Sequence, residues 1–490
     1  MNLFAISARS LRVRVLSTLL TTLSIALGAG LLAAIWLLMG EVDRKYRTSL
    51  QGYGAIVGPK EGAPLSLVLN TVFNLGASPG IVPLSVYEEI REGRIRFNNR
   101  PIPVRYAIPQ ARGDHYRGFP LVGTTDEMFF KFTRGDAGTL RFAKGAPFAF
   151  GHEELMAFAK EKAREHAEGG EAHAEARPQT ARSGARPDHD PPASAPQASP
   201  PAHGEPGHVH GPECEHDHEA LPARHRQAVV GAEVARKLRI DLGYRIVPMH
   251  GAPEDPDAHE HQEAACEVVG ILAATGTPID RAIYVPLAAF LAMDKHVAIR
   301  PEQAAEHGNV ALSAVVVEPR STIAASWLRY AFQTRMDGQV AWPGIEIPQL
   351  LSVVGSATDV LRVVSYVVLL VAAIGLMVAL YNTMNERRRE IAILRSLGAR
   401  RHQIARIVLY EAGAIAAAGA LLGVALCHGA AWLLGAWVEH QTGVAMDWAA
   451  FSPMEGWLIL GAVVLGCVAG IAPAFKASRT PVADHLSPTT

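Results

Sequence analysis

The residues best suited to chemistry form a histidine-rich tract, HGEPGHVHGPECEHDH, which runs from His203 to His218. Neutral imidazole and thiolate are ligands that suit zinc, copper or nickel. The tract offers six such side chains: His203, His208, His210, Cys214, His216 and His218. Because it lacks the fixed CxxC and HxxxH pairs of a structural zinc site, it predicts weak divalent-metal binding, with zinc the expected ion. The alternative is a solvated linker whose histidines bind nothing.

The tract lies inside a longer segment, residues 152–226, which has ten prolines and few large apolar residues. Such a composition cannot bury enough surface to offset chain entropy, so we expect a disordered insertion within a folded domain. Thirteen of the 20 histidines fall in this segment or just after it. Four cysteines are too few for a disulfide scaffold, and a Cys214–Cys266 bond is the less favoured alternative to free thiols.

The charge balance excludes one class of function. Among 490 residues there are 46 basic and 47 acidic side chains, which gives a net charge of −1. A dedicated nucleic-acid binder needs a clear basic excess, so we expect no nucleic-acid partner. Charged residues make up 19% of the chain, below the roughly 25% usual in soluble domains. This low average indicates very apolar segments beside polar ones.

Four apolar runs are long enough to cross a bilayer, for which about 20 residues suffice. The predicted spans are residues 15–40, 362–384, 407–437 and 456–475. The first run exceeds the apolar core of a signal peptide, so we expect an uncleaved anchor. Residues 41–361 alternate short apolar runs with Gly and Pro turns, which is typical of an α+β domain. The expected fold is a membrane protein with an α-helical 1+3 transmembrane topology and this large domain inserted after the first helix.

The short loops predict the orientation, since Lys and Arg stay on the cytoplasmic side. Residues 385–406, here called the arginine loop, carry seven arginines against two glutamates, a net charge of +5. Residues 1–14 are also basic, whereas residues 438–455 contain no Lys or Arg. We therefore expect residues 1–14, the arginine loop and the tail 476–490 in the cytoplasm. The large domain is expected in the periplasm, outside a bacterial inner membrane.

Within the arginine loop, Ile391, Leu394 and Leu397 recur at i, i+3 and i+6, which predicts a short helix with one apolar stripe. Gly398 stands where a helix C-cap belongs. From the residues alone, this helix either rests on lipid headgroups, with its arginines near phosphates, or docks onto another protein.

The arginine loop also carries a family resemblance. Its sequence ERRREIAILRSLGARRHQI, followed by Glu411-Ala412-Gly413, resembles the C-terminal domain of FtsX-like permeases, which include MacB-type and LolC/LolE-type ABC transporter permeases. PAFKASRTPVADHL (residues 473–486) resembles the closing motif of that family. In the large domain, VVGAEVARKLRIDLGYRI and VVGILAATGTPIDRAIYVPL resemble the periplasmic core domain, and VGPKEGAPLSLVLNTVF resembles a subgroup of ABC permeases.

The resemblance implies that the short helix is a coupling helix that docks into a separate ATPase subunit. The residues implied in coupling are Glu386, Arg387, Glu390, Ile391, Leu394, Arg395, Leu397 and Gly398. The sequence contains no GxxxxGK[ST] phosphate loop and offers no arguable Ser-His-Asp or paired-carboxylate site. We therefore expect a non-catalytic chain whose folded parts bind no cofactor.

The expected function is a permease subunit of an ABC transporter, in which ATP hydrolysis on a partner chain drives movement of the periplasmic domain. The expected partners are the ATPase, a second permease, the lipid bilayer and a periplasmic binding or fusion protein. The histidine tract adds a link to zinc or another transition metal. The alternatives are an FtsX-type regulator of a cell-wall hydrolase and a passive metal-sensing membrane protein.

Two small-residue motifs are candidates for close helix packing. Gly419 and Gly423 lie in the third apolar run, and Gly466 and Gly470 lie in the fourth. Packing of these spans against each other within one chain is favoured over dimerisation. Glu411, near the start of the third run, is expected to cap a helix or to pair with Arg406.

Overall fold

A computed structural model describes residues 15–175, 222–250, 259–293, 310–442, 447, 449 and 451–479. The chain divides into two units. Met1–Gln51 and Trp342–Thr490 form one unit, here called the bundle. Gly52–Ala341 form the other, here called the sheet domain.

The described helices are distributed over both units. In chain order they are α1 (Val15–Ser49), α2 (Pro64–Phe73), α3 (Leu84–Arg91), α4 (Glu127–Phe130), α5 (His152–Glu175), α6 (Ala232–Leu238), α7 (Leu287–Leu291), α8 (Thr322–Gln333), α9 (Pro343–Glu386), α10 (Arg388–Ser396), α11 (Arg401–Thr442) and α12 (Pro453–Ser478). Short 3-10 turns lie at Gly135–Ala137, Ala223–His225, Gln262–Ala264 and Pro278–Arg281.

The described strands all belong to the sheet domain. They are β1 (Ala55–Gly58), β2 (Val82–Pro83), β3 (Arg96–Phe97), β4 (Arg100–Pro101), β5 (Val104–Tyr116), β6 (Phe119–Thr124), β7 (Phe142–Gly145), β8 (Gln227–Val230), β9 (Arg245–Ile246), β10 (Met249–His250), β11 (His259–Glu260), β12 (Cys266–Leu272), β13 (Ile283–Pro286), β14 (Ala311–Leu312), β15 (Ala314–Pro319) and β16 (Gln339–Ala341).

Twelve of these strands form one mixed sheet. Its main order is β16-β1-β15-β5-β6-β13-β8-β12-β7, while β9 pairs with β12 and β10 pairs with both β5 and β11. β13 runs parallel to β6, and β12 runs parallel to β8, whereas β15, β5 and β6 are antiparallel neighbours. Helices α2, α3, α7 and α8 pack against this sheet. The predicted mixture of helices and strands in this part of the chain is confirmed.

The centre of the sheet is built from β-branched residues. Val315, Val316 and Val317 of β15 are fully buried and lie between β1 and β5, because branched side chains pack well on a pleated surface. The half-buried Arg112 of β5 connects α2 to this sheet. Its guanidinium donates to the carbonyl oxygens of Asn70 at 3.0 Å and Thr71 at 2.7 Å, groups that are left unpaired at a helix C-terminus.

The expected disorder of residues 152–226 is wrong at both ends of that segment. α5 begins at His152, and its side chains Leu155, Phe158 and Ala159 are buried. These residues stand at i, i+3 and i+4, which is the spacing of an apolar helix face. The high Ala and Glu content of the segment makes this short apolar face hard to recognise in the sequence. The other end forms a 3-10 turn that leads into β8. Residues 176–221, with the histidine tract, lie outside the described residues.

Cys266 is a free and buried thiol in β12. It donates a hydrogen bond to the carbonyl oxygen of Ala264 at 3.2 Å, and burial raises its pKa to about 12. A thiol with so high a pKa is protonated at neutral pH and therefore a poor nucleophile or metal ligand. Its predicted alternative partner, Cys214, lies outside the described residues.

In the described part of the chain, four helices are long and apolar enough to cross a membrane: α1, α9, α11 and α12. One of them precedes the sheet domain in the chain and three follow it. They share an apolar core that includes Leu32, Leu376, Ile415 and Leu458. Large apolar side chains such as Leu20 and Val371 are exposed on the outside of the bundle, as expected for helices that face lipid.

The helices are longer than the predicted spans. α1 continues to Ser49, and α9 already begins at Pro343, so the sheet domain is Gly52–Ala341 rather than residues 41–361. At 1.5 Å per residue, the 44 residues of α9 are about 66 Å long, more than twice the hydrocarbon core of a bilayer. Hydropathy detects only the apolar part of such a helix. The helix itself extends further, through polar residues that hydropathy does not count. In α1, the ion pair between Arg47 and Asp43 at 2.8 Å has the helical i, i+4 spacing.

Gly419 and Gly423 allow α11 to pack closely against α1. A Cβ atom on Gly419 would lie 2.8 Å from the Cβ atom of Ile25, and one on Gly423 would lie 2.8 Å from the backbone nitrogen of Gly30. Real Cβ atoms do not approach other atoms so closely, so any larger residue would push the helices apart. These glycines therefore serve a contact inside the chain, although with α1 rather than with α12.

Gly466 and Gly470 bring α12 against α11. A Cβ atom on Gly470 would lie 2.8 Å from the Cβ atom of Ala412, and Gly466 faces Ala416 at similarly short range. The two glycine motifs therefore belong to different interfaces, and α11 is the helix common to both. Small residues at crossings of this kind let helix backbones approach in membranes.

The glycine contact between α11 and α1 gives a direct test. Gly423→Val is expected to force these helices apart and to destabilise the bundle by about 1–3 kcal/mol or more, the usual cost of overpacking. Thermal unfolding of the detergent-solubilised protein, followed by the loss of its monodisperse chromatographic peak, measures this effect. Gly429→Val is the matched control, because a Cβ atom at Gly429 of the same helix meets nothing within 4 Å. Equal losses in both variants would contradict the packing role.

A second test concerns His225, which anchors the end of the insertion. Its ring packs edge-on against Phe150 at 5.2 Å, and neither ring nitrogen has a hydrogen-bond partner among the described residues. Burial lowers the pKa of His225, with a further contribution from Arg224 and opposition from Glu154 and Glu161. The folded state therefore binds a proton at His225 less readily than the unfolded state does. The free energy of unfolding thus keeps its full value above the ordinary histidine pKa of about 6.5, and it decreases as the pH falls below that value.

Amide hydrogen exchange, corrected for the intrinsic pH dependence, should become faster at residues 150–160 and 223–230 when pH falls from 7.5 to 5.5. His225→Phe keeps an aromatic ring but removes the titration, so its exchange should depend less on pH. An unchanged pH response in this variant would show that His225 does not control the anchor.

Candidate functional site

The arginine loop contains α10, a short helix that follows α9 after a single residue. That residue, Arg387, leaves the helical conformation with φ −95° and ψ 15°, while its N–H still donates to the carbonyl oxygen of Thr383 at 3.1 Å. The chain therefore changes direction without losing backbone hydrogen bonds. α10 then connects through residues 397–400 to α11, so it links two helices that are long and apolar enough to cross a membrane.

One side of α10 is buried in the bundle. Ile391 is 6% exposed and the neighbouring Ala392 is fully buried. Ile391 belongs to an apolar cluster with side chains from the three adjoining helices. The cluster consists of Met384 of α9, Ile391 of α10, Ile404 and Val408 of α11, and Ala474 and Ala477 of α12. α10 is therefore anchored to all three of the helices that follow the sheet domain.

The other apolar residues of α10 point elsewhere. Leu394 is half-buried, whereas Leu397 is 79% exposed. At 3.6 residues per turn, six residues rotate the helix by about 600°, so Leu397 lies about 120° around the axis from Ile391. The i, i+3, i+6 spacing thus drifts around the helix and does not form one stripe. Ile391 faces the bundle, and Leu397, with the exposed Ile393, is available to a partner.

The end of α10 is defined by Gly398. It has φ +95°, a left-handed conformation that costs little only for glycine. The N–H of Ala399 donates to the carbonyl oxygen of Leu394, and the N–H of Gly398 donates to that of Arg395, both at 3.0 Å. This is the Schellman arrangement at a helix C-terminus, and it fixes the exposed position of Leu397 immediately before the turn.

Arg387 connects the start of α10 to α11. Its Nε donates to Glu390 of α10 at 2.8 Å, and its terminal nitrogen lies 3.7 Å from a carboxylate oxygen of Glu411. Glu411 is only 4% exposed and stands well inside α11, so it is no helix cap. The expected pairing of Glu411 with Arg406 is therefore replaced by an ion pair with Arg387, because Arg406 is exposed on another side of α11.

The exposed charged side chains of the arginine loop are mostly cationic. Glu386 and Glu390 are also exposed, and Arg395 is half-buried. The exposed arginines of the loop are Arg389, Arg400, Arg401 and Arg406. A loop that exposes an apolar side chain together with several arginines can bind a partner surface that has an apolar pocket and acidic residues.

A polar contact in the bundle was missed by the sequence reasoning. His428 of α11 places its Nε2 atom 3.2 Å from both carboxylate oxygens of Glu455 of α12, and both residues are buried. The ring of Phe451 packs on the imidazole with 4.4 Å between centroids. Ser452 and Glu455 form a capping box at the start of α12. The S-x-x-E signature of such a box was the signal that could have located Glu455 at this helix end.

The predicted metal ligands do not contribute to this geometry. His203, His208, His210, Cys214, His216 and His218 lie outside the described residues, so metal binding by the tract stays a prediction. Among the side chains that the structure describes, no group of three His, Cys, Asp or Glu residues is placed to hold a metal ion.

The comparison with known families covers the helices around the arginine loop. Residues 362–482 match the model of the FtsX-like permease C-terminal family. We call these residues the FtsX-like domain, after the family to which they are similar. The resemblance drawn from the sequence is thereby confirmed, and α10 is the helix between the first and second spans of this FtsX-like domain.

Individual relatives of the chain carry related names. One is the macrolide export ATP-binding/permease protein MacB of Nitrobacter winogradskyi, 34% identical over 136 residues, which are 27% of this chain and 20% of the relative. Another is the pyoverdine export ATP-binding/permease protein PvdT of Pseudomonas aeruginosa, 40% identical over 126 residues, 24% of this chain and 17% of the relative. The matches thus span a fifth or less of each relative.

The ion pair of the FtsX-like domain gives a stability test. Arg387→Leu removes a guanidinium beside the buried Glu411 carboxylate and is expected to destabilise the bundle by up to about 3 kcal/mol, since a buried charge that loses its partner is costly. The double variant Arg387→Leu/Glu411→Leu should regain part of this loss. Thermal unfolding in detergent of the two single variants and the double variant measures the coupling. Strictly additive effects would show that the two side chains do not interact.

Proposed function

We propose that this chain is the permease subunit of an ABC transporter and that it couples ATP hydrolysis on a separate ATPase subunit to conformational change of the sheet domain. The observation that carries the proposal is the division of α10 into two faces. One face is packed into the bundle through Ile391, while Leu397 is exposed in a loop that carries four exposed arginines.

The anchored face accounts for transmission of force. A partner that displaces α10 must also move the cluster around Ile391, which contains side chains of α9, α11 and α12. Packed cores respond to such displacement as units because they are dense and hardly compressible. The ion pair between Arg387 and Glu411 adds a second connection between α10 and α11. Movement of α10 is therefore passed to every helix of the FtsX-like domain.

The exposed face accounts for partner recognition. Leu397 is an exposed apolar side chain, and burial of its apolar surface in a pocket of the partner would stabilise the complex. The surrounding arginines favour a partner with an acidic rim and accelerate its encounter. The sequence of this chain contains no GxxxxGK[ST] motif, so we assign ATP binding to the partner, although relatives such as MacB are named as ATP-binding/permease proteins.

The proposed location is the bacterial inner membrane, with the arginine loop in the cytoplasm and the sheet domain in the periplasm. The excess of arginines in the loop supports this orientation. At the opposite ends of α11 and α12, Trp432, Trp437 and Trp457 are exposed, as expected for an aromatic belt at the other membrane interface. A second permease and a periplasmic protein complete the proposed assembly. The cargo would then be handled by the sheet domain.

Leu397→Asp tests the coupling proposal. The substitution places a carboxylate at the centre of the exposed face, so association with the ATPase and transport-linked ATP hydrolysis should fall at least tenfold. Because Leu397 is exposed, the variant should insert and fold normally. Co-purification of the ATPase from membranes and the ATPase activity of the complex are the measurements.

Met336→Asp is the matched control, since Met336 is also an exposed apolar residue but lies on the sheet domain. It should leave ATPase binding unchanged. The proposal fails if Leu397→Asp retains a full complement of ATPase and full activity. Recovery of a cell-wall hydrolase without any transport defect would instead favour the FtsX-type regulator.

A further inference from the structure

The ends of α9 and α12 carry two exposed aromatic rings, each with a cation above it. The rings belong to Tyr381 of α9 and Phe475 of α12. The ammonium nitrogen of Lys476 lies 3.4 Å from the centroid of the Tyr381 ring, and the guanidinium carbon of Arg479 lies 3.9 Å from that of Phe475. Because Lys476 of α12 reaches across to α9, these four side chains form one continuous surface, here called the basic-aromatic surface.

The basic-aromatic surface continues an apolar strip on each of the two helices. On α9, the exposed Val378 precedes Tyr381 by three residues, and on α12 the exposed Ile471 precedes Phe475 by four. Such spacings place side chains on the same side of a helix. Exposed aliphatic side chains are thus followed by aromatic rings and then by cations. This is the order of side chains that border acyl chains, interface and headgroups in a lipid leaflet.

The cations of this surface keep their charge for an anion. A ring attracts a cation through its π face but has no net charge that would neutralise it. Lys476 also forms a hydrogen bond with Tyr381, and Arg388 of α10 interacts electrostatically with the same tyrosine. The guanidinium of Arg388 donates to the neutral side chain of Asn385 at 2.9 Å. A third positive charge therefore adjoins the surface.

This combination of charge and apolar surface matches an anionic phospholipid. Guanidinium groups bind phosphate through parallel N–H donors, and an ammonium group binds it as a point charge. Zwitterionic lipids carry a positive group that the three cations repel, so a headgroup with a net negative charge is favoured. The exposed apolar strips below the rings match acyl chains, for which a free phosphate ion has no counterpart.

We propose that the basic-aromatic surface is a binding site for an anionic phospholipid, in the leaflet that surrounds the arginine loop. Lys476 and Arg479 bind the phosphate, and Arg388 adds to the positive potential. Tyr381 and Phe475 contact the glycerol region and the adjoining part of the acyl chains. The lipid thereby connects the end of α9 to the end of α12.

The lipid site lies on the outer side of helix turns whose inner side anchors α10. Met384 of α9 and Ala474 and Ala477 of α12 belong to the apolar cluster around Ile391, whereas Phe475 is exposed. A lipid that holds the two helix ends together therefore stabilises the cluster to which α10 is anchored. The site requires that the bundle lies in a membrane, but it is independent of the coupling function proposed for α10.

The test measures lipid affinity of the full-length protein in an uncharged detergent, without any ATPase. The probes are phosphatidylglycerol and phosphatidylcholine with identical acyl chains, and the rise of the unfolding temperature with lipid concentration reports binding. Phosphatidylglycerol should bind at least tenfold more tightly. Lys476→Gln/Arg479→Gln should abolish this preference, and Arg479→Gln alone, at an exposed side chain, should already weaken it. Lys476→Arg/Arg479→Lys keeps both charges and should retain it.

Arg400→Gln/Arg401→Gln is the matched control, because it removes two charges from exposed arginines of the same loop. It should bind phosphatidylglycerol within twofold of the unaltered protein. Equal losses in this control and in Lys476→Gln/Arg479→Gln would reveal unspecific attraction and overturn the proposal. Equal affinity of the unaltered protein for the two lipids would also overturn it. So would displacement of phosphatidylglycerol by inorganic phosphate, since the site would then bind a soluble anion.

Discussion

The bundle depends on the close crossing of α11 with α1 at Gly419 and Gly423. No Cβ atom fits at either position without displacing Ile25 or the backbone of α1. α11 also carries Ala412 and Ala416, which receive Gly470 and Gly466 of α12. Without a hydrophobic driving force between helices in lipid, such van der Waals contact is a main source of their association. The position of α11 therefore determines where the remaining helices can pack.

The position of α10 in the arginine loop depends on this packing of α11. Ile404 and Val408, near the start of α11, are two of the five side chains that cluster with Ile391. Glu411, about one turn further along α11, faces Arg387. α10 is thus held by an apolar cluster and by an ion pair, while Leu397 stays exposed. In the second half of α11, His428 contacts Glu455 of α12. The same helix therefore joins the proposed ATPase contact to the far end of the bundle.

Several features were predictable because they depend on local composition. The four apolar runs lie in four helices that are long and apolar enough to cross a membrane. Gly398 ends α10 with the positive φ that only glycine adopts readily. The limits of the helices were not predictable from hydropathy, because ion pairs such as Arg47–Asp43 continue α1 beyond its apolar part. The buried start of α5 was also missed, since a short apolar face is concealed in a segment rich in Ala and Glu.

The amino-acid sequence by itself determined the class of this protein: a membrane-spanning chain with a polar inserted domain and an arginine-rich helix that resembles FtsX-like permeases. Only the tertiary structure decided which side chains of that helix are free to bind. Ile391 and Leu397 are equally apolar, but a rotation of about 100° per residue sends one into the bundle and leaves the other exposed. The pairing of Val316 in β15 with Ile56 of β1 and Ile108 of β5 is likewise decided by strand register, because hydrogen bonding between strands brings together residues that are distant in the chain.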